Sequence, residues 1–207
     1  MPETMPYMYW LCAIDPGTQK SALVLYPVVL AREKKRARVY GKIYDNAELL
    51  EVLRKTRNHD VHDVHDVHYV IEMTACYGMP VGHDVLETTV WIGRFLEAIE
   101  SRYGLVDRMT RVEVKQLLCH RTAGVTDAVL RQRIIDMYGG RESAIGNKQA
   151  PGPLYDIKRD MWQALALAIA WREKYTMGGK CEPALEARWR ESTAAHRLPS
   201  TRKGKGK

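Results

Sequence analysis

The order of apolar runs along the chain predicts an α/β fold, a mixed five-stranded sheet flanked by helices. Three observations carry that reading. Three apolar runs open the chain with links too short for a helix, and such links make antiparallel hairpins. A helix-patterned segment then separates the third run from a fourth, so the fourth strand can lie parallel to the first. Helix, strand and further helices follow, the element order of a layered α/β sandwich.

Trp10, Leu11, Cys12, Ala13 and Ile14 form a continuous apolar run that predicts a buried strand. Residues 21–30 and 37–44 are the second and third runs. They are linked by Pro16-Gly17-Thr18-Gln19-Lys20 and by a basic turn near residues 33–36. Asn46 is placed to cap a helix reaching residue 57, with Leu49, Leu50 and Leu53 on one face. The fourth strand is expected over 68–73. A Gly/Pro loop, Tyr77-Gly78-Met79-Pro80-Val81-Gly82, leads into a helix over 84–103. Val85, Thr89, Ile92, Leu96 and Ile99 are spaced for one face of it. Residues 111–114 read as a short fifth strand. Helices over 115–119 and 126–138 follow, with Thr126 as cap of the second. A Gly/Pro-rich loop spans 139–153, and the last core helix is expected over 157–175.

A chain of 207 residues, 45% of them hydrophobic, supports one core. The expected division is one globular domain over 1–176 and a basic, partly disordered tail over 177–207. The net charge of +7 is uneven: residues 176–207 hold eight Lys/Arg against three Asp/Glu, so +5 of it sits there. A basic tail on a nearly balanced body suits a polyanion such as nucleic acid; the plainer reading is a solvated tail. No apolar stretch approaches the ~20 residues of a membrane span. No secretory leader is evident at the start. Cys12, Cys76, Cys119 and Cys181 form no C-x-x-C pair, which fits free thiols in a reducing cytoplasm. Three His-Asp-Val repeats occupy residues 59–67. His and Asp are metal ligands, but a period of three matches neither a strand nor a helix face, so a polar linker is the better reading.

Three carboxylates stand where apolar elements end. Asp15 closes the first strand before Pro16-Gly17, and strand alternation groups it with Leu11 and Ala13. In the fourth strand the same alternation groups Val70 with Glu72. If the two strands are parallel neighbours, Asp15 and Glu72 meet across ~5 Å. Carboxylates that close repel unless a cation lies between them. In the last helix, Asp156, Asp160, Gln163, Leu167 and Trp171 fall on one stripe, whose apolar end must face the sheet. That directs Asp160 toward the same edge. Mg²⁺ takes few carboxylates plus water and phosphate oxygens, and a pair of such ions activates water and stabilises a leaving phosphodiester oxygen. Each acid also has a structural reading. Asp15 can cap a turn, Glu72 can pair with a Lys or Arg, Asp156 can be an N-cap, and Asp160 can serve the helix dipole.

The pattern resembles the RuvC family of Holliday-junction resolvases, and in places its phage-encoded branch. Ala13-Ile14-Asp15-Pro16-Gly17-Thr18 resembles the family's opening motif, and Val70-Ile71-Glu72 its second acidic strand. Val114-Lys115-Gln116 resembles a segment whose lysine approaches DNA, and Ala164-Leu165-Ala166-Leu167-Ala168 the run of the final helix. The 78–82 loop and Trp91-Ile92-Gly93-Arg94 look like the phage branch. The resemblance implies a ribonuclease-H-like fold, a homodimer, and Mg²⁺-dependent nicking of four-way DNA junctions, with two ions per site and Mn²⁺ as a substitute. It implies catalytic and metal roles for Asp15, Glu72 and Asp160. Bacterial members carry two acidic or His positions three residues apart in the last helix. Here these are Asp160 and Gln163, so either Asp160 alone serves from this helix or Asp156 joins it as the fourth ligand from one turn earlier. Tyr77 stands near a junction-probing aromatic of bacterial relatives. Lys115, Arg121, Lys158 and Arg159, with Arg131 and Arg133, are candidate phosphate contacts. Asp127 is left outside the metal set.

Three other readings use the same residues. An actin- or sugar-kinase-type protein also opens with Asp-x-Gly-Thr, but it needs a second lobe and a second phosphate loop that 207 residues do not supply. Another ribonuclease-H-like nuclease would differ only in substrate. A catalytically silent DNA-binding module would keep the basic residues and not need the acids.

Overall fold

Alternation along the first strand divides its side chains between two apolar layers. The computed structural model describes residues 8–29, 37–55, 67–76, 78, 80–103 and 106–176. In β1 (Met8–Asp15), Leu11 and Ala13 enter one core and Cys12 and Ile14 the other. All four are buried, because helices cover both faces of the sheet. β1 runs antiparallel to β2 (Lys20–Val29), which runs antiparallel to β3 (Tyr40–Asp45). On its other side β1 runs parallel to β4 (Val67–Met73), and β4 parallel to β5 (Val106–Thr110). The order is β3-β2-β1-β4-β5, a mixed five-stranded sheet.

The Cys12/Ile14 face is covered by α1 (Asn46–Lys55) through Leu49, Leu50 and Leu53, and by α2 (His83–Tyr103) through Ile92, Phe95 and Ile99. The Leu11/Ala13 face carries α6 (Met161–Thr176), with α3 (Arg111–Cys119) and α4 (Asp127–Met137) packed beyond it. A single turn, α5 (Arg141–Ala144), lies in the loop before α6. Every residue from 164 to 171 in α6 is fully buried, since the helix has the sheet on one side and other helices around it. Alanines at 164, 166, 168 and 170 let its backbone approach these neighbours closely. One polar cluster ties α6 to the sheet: the Trp171 indole N–H donates to Asp107 at 2.7 Å, and His68 Nε2 lies 2.8 Å from the same carboxylate oxygen.

Element boundaries differ from the sequence reading at three places. The fifth strand lies at 106–110, and Arg111 begins a helix. Thr110 accepts from the Glu113 backbone N–H while the Glu113 carboxylate accepts from the Thr110 N–H, a reciprocal capping box. Lys115 is therefore in the second turn of this helix, one turn further in than the helix start expected at 115. The last helix begins at Met161, not 157; turns occupy residues 153–156 and 159–160 ahead of it. The Asp160 carbonyl accepts the first helical bonds, from Gln163 and Ala164. The third strand also begins later, at Tyr40, because the Val39 N–H is drawn to the Pro153 carbonyl. Thr126 caps α4 as expected. Residues 59–66 of the His-Asp-Val repeat, Tyr77 and the tail over 177–207 lie outside the described residues. Among the described residues no helix is long and apolar enough to cross a membrane.

Candidate active site

Asp15 is the last residue of β1, and Glu72 follows Ile71, the residue paired with Ile14 in the parallel β1–β4 ladder. The two acids therefore stand side by side where neighbouring strands end, on the face that carries α6. The alternation read from the sequence is the reason: Leu11, Ala13 and Val70 of the same face all lie in the α6-side core. A cleft at this edge is lined by Asp15, Pro16, Glu72, Thr74, Thr88 and Arg111.

The turn after Asp15 is held from outside. The Asn46 side chain donates to the Gly17 carbonyl at 2.9 Å and accepts from the Ser21 hydroxyl at 2.6 Å. The Gly17 N–H in turn donates to the Ser21 hydroxyl oxygen. Asn46 thus braces the turn with its side chain instead of capping its own helix. At Gly17 a Cβ would stand 2.4 Å from the Lys20 carbonyl oxygen, so only glycine lets the chain turn there. The Asp15 backbone is fixed by contacts remote from its carboxylate.

Burial raises the Asp15 carboxyl well above the ordinary aspartate range. The neighbouring Glu72 charge adds to this, and Asp160 and Asp127 add further, while Arg111 opposes it. Burial also raises Glu72; Arg111, through charge and hydrogen bond, and Lys115 offset part of that, and Asp127 adds to it. The acids from β1, β4 and the start of α6 thus share one electrostatic field. Among the described residues, however, no three His, Cys, Asp or Glu side chains approach closely enough to hold one ion between them. What the structure places together is a pair, Asp15 and Glu72 at neighbouring strand ends, with the Asp160 charge acting on Asp15 from just ahead of α6.

Arg111 is the residue that sequence reasoning missed. Its guanidinium donates to Glu72 Oε2 at 3.2 Å, and also to Asp127 Oδ1 and Gln163 Oε1. It joins β4, α4 and α6 from the first turn of α3. A signal for it was present: Thr110-x-x-Glu113 is a capping box ahead of Val114, Leu117 and Leu118, which starts a helix at 111. A cation at a helix N-terminus opposes the dipole and needs acids nearby to hold it.

The other expected residues fall in three groups. Lys115 is half-buried on α3, with its charge felt at Glu72. Arg121, Lys158 and Arg159 are exposed in loops. Arg159 takes a left-handed backbone, φ 48, directly before Asp160. Asp156 is turned to the Arg38 guanidinium in an ion pair, because it sits in a turn ahead of the helix and not on the Asp160–Gln163 stripe. Arg131 lies over the Trp162 ring and Arg133 donates to the Leu118 carbonyl, both intramolecular contacts.

Sheet and site together define an α/β protein with a carboxylate centre at the ends of two parallel strands. No protein-family model matches the chain. No curated protein matches it either. Solved structures do: that of Thermus thermophilus RuvC superposes with a TM-score of 0.57 at 18% identity, over 82% of this chain and 96% of that one. T. thermophilus RuvC in complex with a Holliday junction substrate gives 0.52 at 16% identity, with the same coverage. The chain therefore has a RuvC-like fold.

Proposed function

We propose that this chain is a divalent-cation-dependent, structure-selective DNA endonuclease that resolves four-way junctions, built on a ribonuclease-H-like core. The observation that carries the proposal is the side-by-side placement of Asp15 and Glu72 at the ends of β1 and β4. Loss of solvent is the main cause that raises both carboxyls above their ordinary range, and for Asp15 the Glu72 charge adds to it. A fold similar to that of a RuvC bound to a Holliday junction substrate supports the choice of substrate.

The donors suit Mg²⁺, which binds one or two carboxylates and fills its remaining positions with water and substrate phosphate. Asp15 and Glu72 would hold it, with Asp160 at the open side. When bound, the ion supplies Lewis-acid polarisation of the phosphoryl oxygen and an acidified water. The chain's own residues do the rest. The Asn46–Ser21 brace fixes the Asp15 backbone, Lys115 brings positive charge to the side where a phosphate must sit, and Arg121, Lys158 and Arg159 are the outer phosphate contacts.

Junction resolution needs two cuts, and a two-fold dimer would present two sites. The surface of α2 favours such pairing: Leu86 and Val90, one turn apart, are each 58% exposed, and Val81, in the loop ahead of the helix, is 44% exposed. The basic tail over 177–207 would add phosphate contacts along the junction arms. A reducing cytoplasm suits the thiols of Cys12, Cys76 and Cys119.

One observation favours a second reading, a non-catalytic DNA-binding module: the guanidinium of Arg111 already engages Glu72. The substrate assay separates the readings. Labelled four-way junction, linear duplex and RNA–DNA hybrid are incubated with the protein in Mg²⁺ and in chelator. The proposal expects paired nicks in the junction alone, and only with Mg²⁺. Cutting of the hybrid or duplex instead would reassign the substrate, and junction binding without any cut would favour the module.

A further inference from the structure

We infer that Arg111 is a resident cation of the acidic centre and takes the place of a second divalent ion, so that each chain binds one. This rests on the reading of Asp15 and Glu72 as a cation site, and it revises the expectation of two ions per site.

Arg111 is placed as a built-in part of the centre. Its guanidinium reaches acceptors on three separate elements, Glu72 of β4, Asp127 of α4 and Gln163 of α6. Its side chain is only 23% exposed, and the Glu72 side chain 14%. A planar donor held from three sides is a fixed component of the site, unlike a lysine swinging in solvent. Gln163, one turn above Asp160, offers an uncharged oxygen that accepts from Arg111 and adds no negative charge that would call for another metal.

The supply of oxygens agrees. Arg111 occupies Glu72 Oε2, while among the described residues the Asp15 and Asp160 carboxylates have no hydrogen-bonded or ion-paired side-chain partner. With no three acids gathered around a common point, these oxygens suit a single hydrated ion better than a bridged pair.

The experiment is a titration of the full-length, chelator-stripped protein with Mn²⁺. Binding is followed by the decline of the free-ion electron paramagnetic signal and by calorimetry. Ions are counted as those that disappear in Asp15→Asn, which excludes binding elsewhere on the surface. The expected count is one per chain for the unmutated protein and for Arg111→Lys, which keeps the charge, and two for Arg111→Gln, which removes it. A count of two in the unmutated protein overturns the inference while leaving the cation-dependent nuclease intact. A count that stays at one in folded Arg111→Gln, checked by circular dichroism, also overturns it. If Arg111→Gln does not fold, the counts for the unmutated protein and Arg111→Lys decide. No Mn²⁺ bound at Asp15 overturns both this inference and the nuclease reading.

Discussion

At the scale of single residues, the site sets two neighbouring carboxylates against one arginine, which pairs with Glu72. Asp15 and Glu72 are half-buried carboxylates whose protonation is favoured by the loss of solvent around them and, for Asp15, by the Glu72 charge beside it. The sign of the pH effect follows directly. An acid with its folded-state value raised binds more protons folded than unfolded, so its contribution to stability is greatest at low pH and declines as pH rises through the raised range. In chelator, thermal unfolding should therefore show stability falling as pH rises from about 4, the ordinary carboxylate value. Asp15→Asn should flatten that fall and leave the fold no weaker. If the variant were instead markedly less stable at neutral pH, the Asp15 carboxylate would have a role in holding the fold. The pair itself was legible in the sequence, because strand alternation and a parallel β1–β4 pairing were enough to put the two acids together. Arg111 was not, because the fifth strand was placed four to five residues late and hid the helix start. Asp156 was misplaced for a related reason: extending the last helix back to 157 put a turn residue on a helical stripe, where the structure gives it Arg38 as partner.

At the scale of elements, α6 and the Thr110 cap position the chemistry. Leu167 lies in the stretch of α6 buried on every side. Leu167→Ala removes a fully packed side chain and should cost about 2–5 kcal/mol in denaturant unfolding, and a loss below ~1 kcal/mol would show a looser core than described. Thr110→Ala removes one half of the capping box ahead of Arg111 and should cost about 1 kcal/mol. The burial of α6 was visible in its Ala/Leu run, and the order of strands and helices in their spacing. The boundaries were harder. Whether residues 106–114 make strand or helix depends on a cap formed by two side chains, and apolar periodicity over so few residues does not separate the two.

At the scale of the whole molecule, affinity, pairing and cutting separate. The tail over 177–207 brings most of the net positive charge. Its removal should weaken junction binding and flatten the salt dependence by about 0.9 in slope for each phosphate that the tail had neutralised. An unchanged slope would make the tail a bystander. The proposed dimer puts Leu86 and Val90 of α2 at the two-fold interface. Leu86→Glu with Val90→Glu should shift the sedimenting species from dimer to monomer while leaving the circular dichroism spectrum unaltered. A protein already monomeric at micromolar concentration would remove the basis for paired cuts.

The central claim is that Asp15 and Glu72 act in chemistry and not in folding or DNA affinity. Cleavage and binding of one synthetic four-way junction, measured side by side for the unmutated protein, Asp15→Asn and Glu72→Gln in Mg²⁺, test it most directly. Cleavage should fall by more than about 100-fold in both variants, with binding within a few-fold of the original. Cleavage that persists in Asp15→Asn, or that disappears together with junction binding, would contradict the claim.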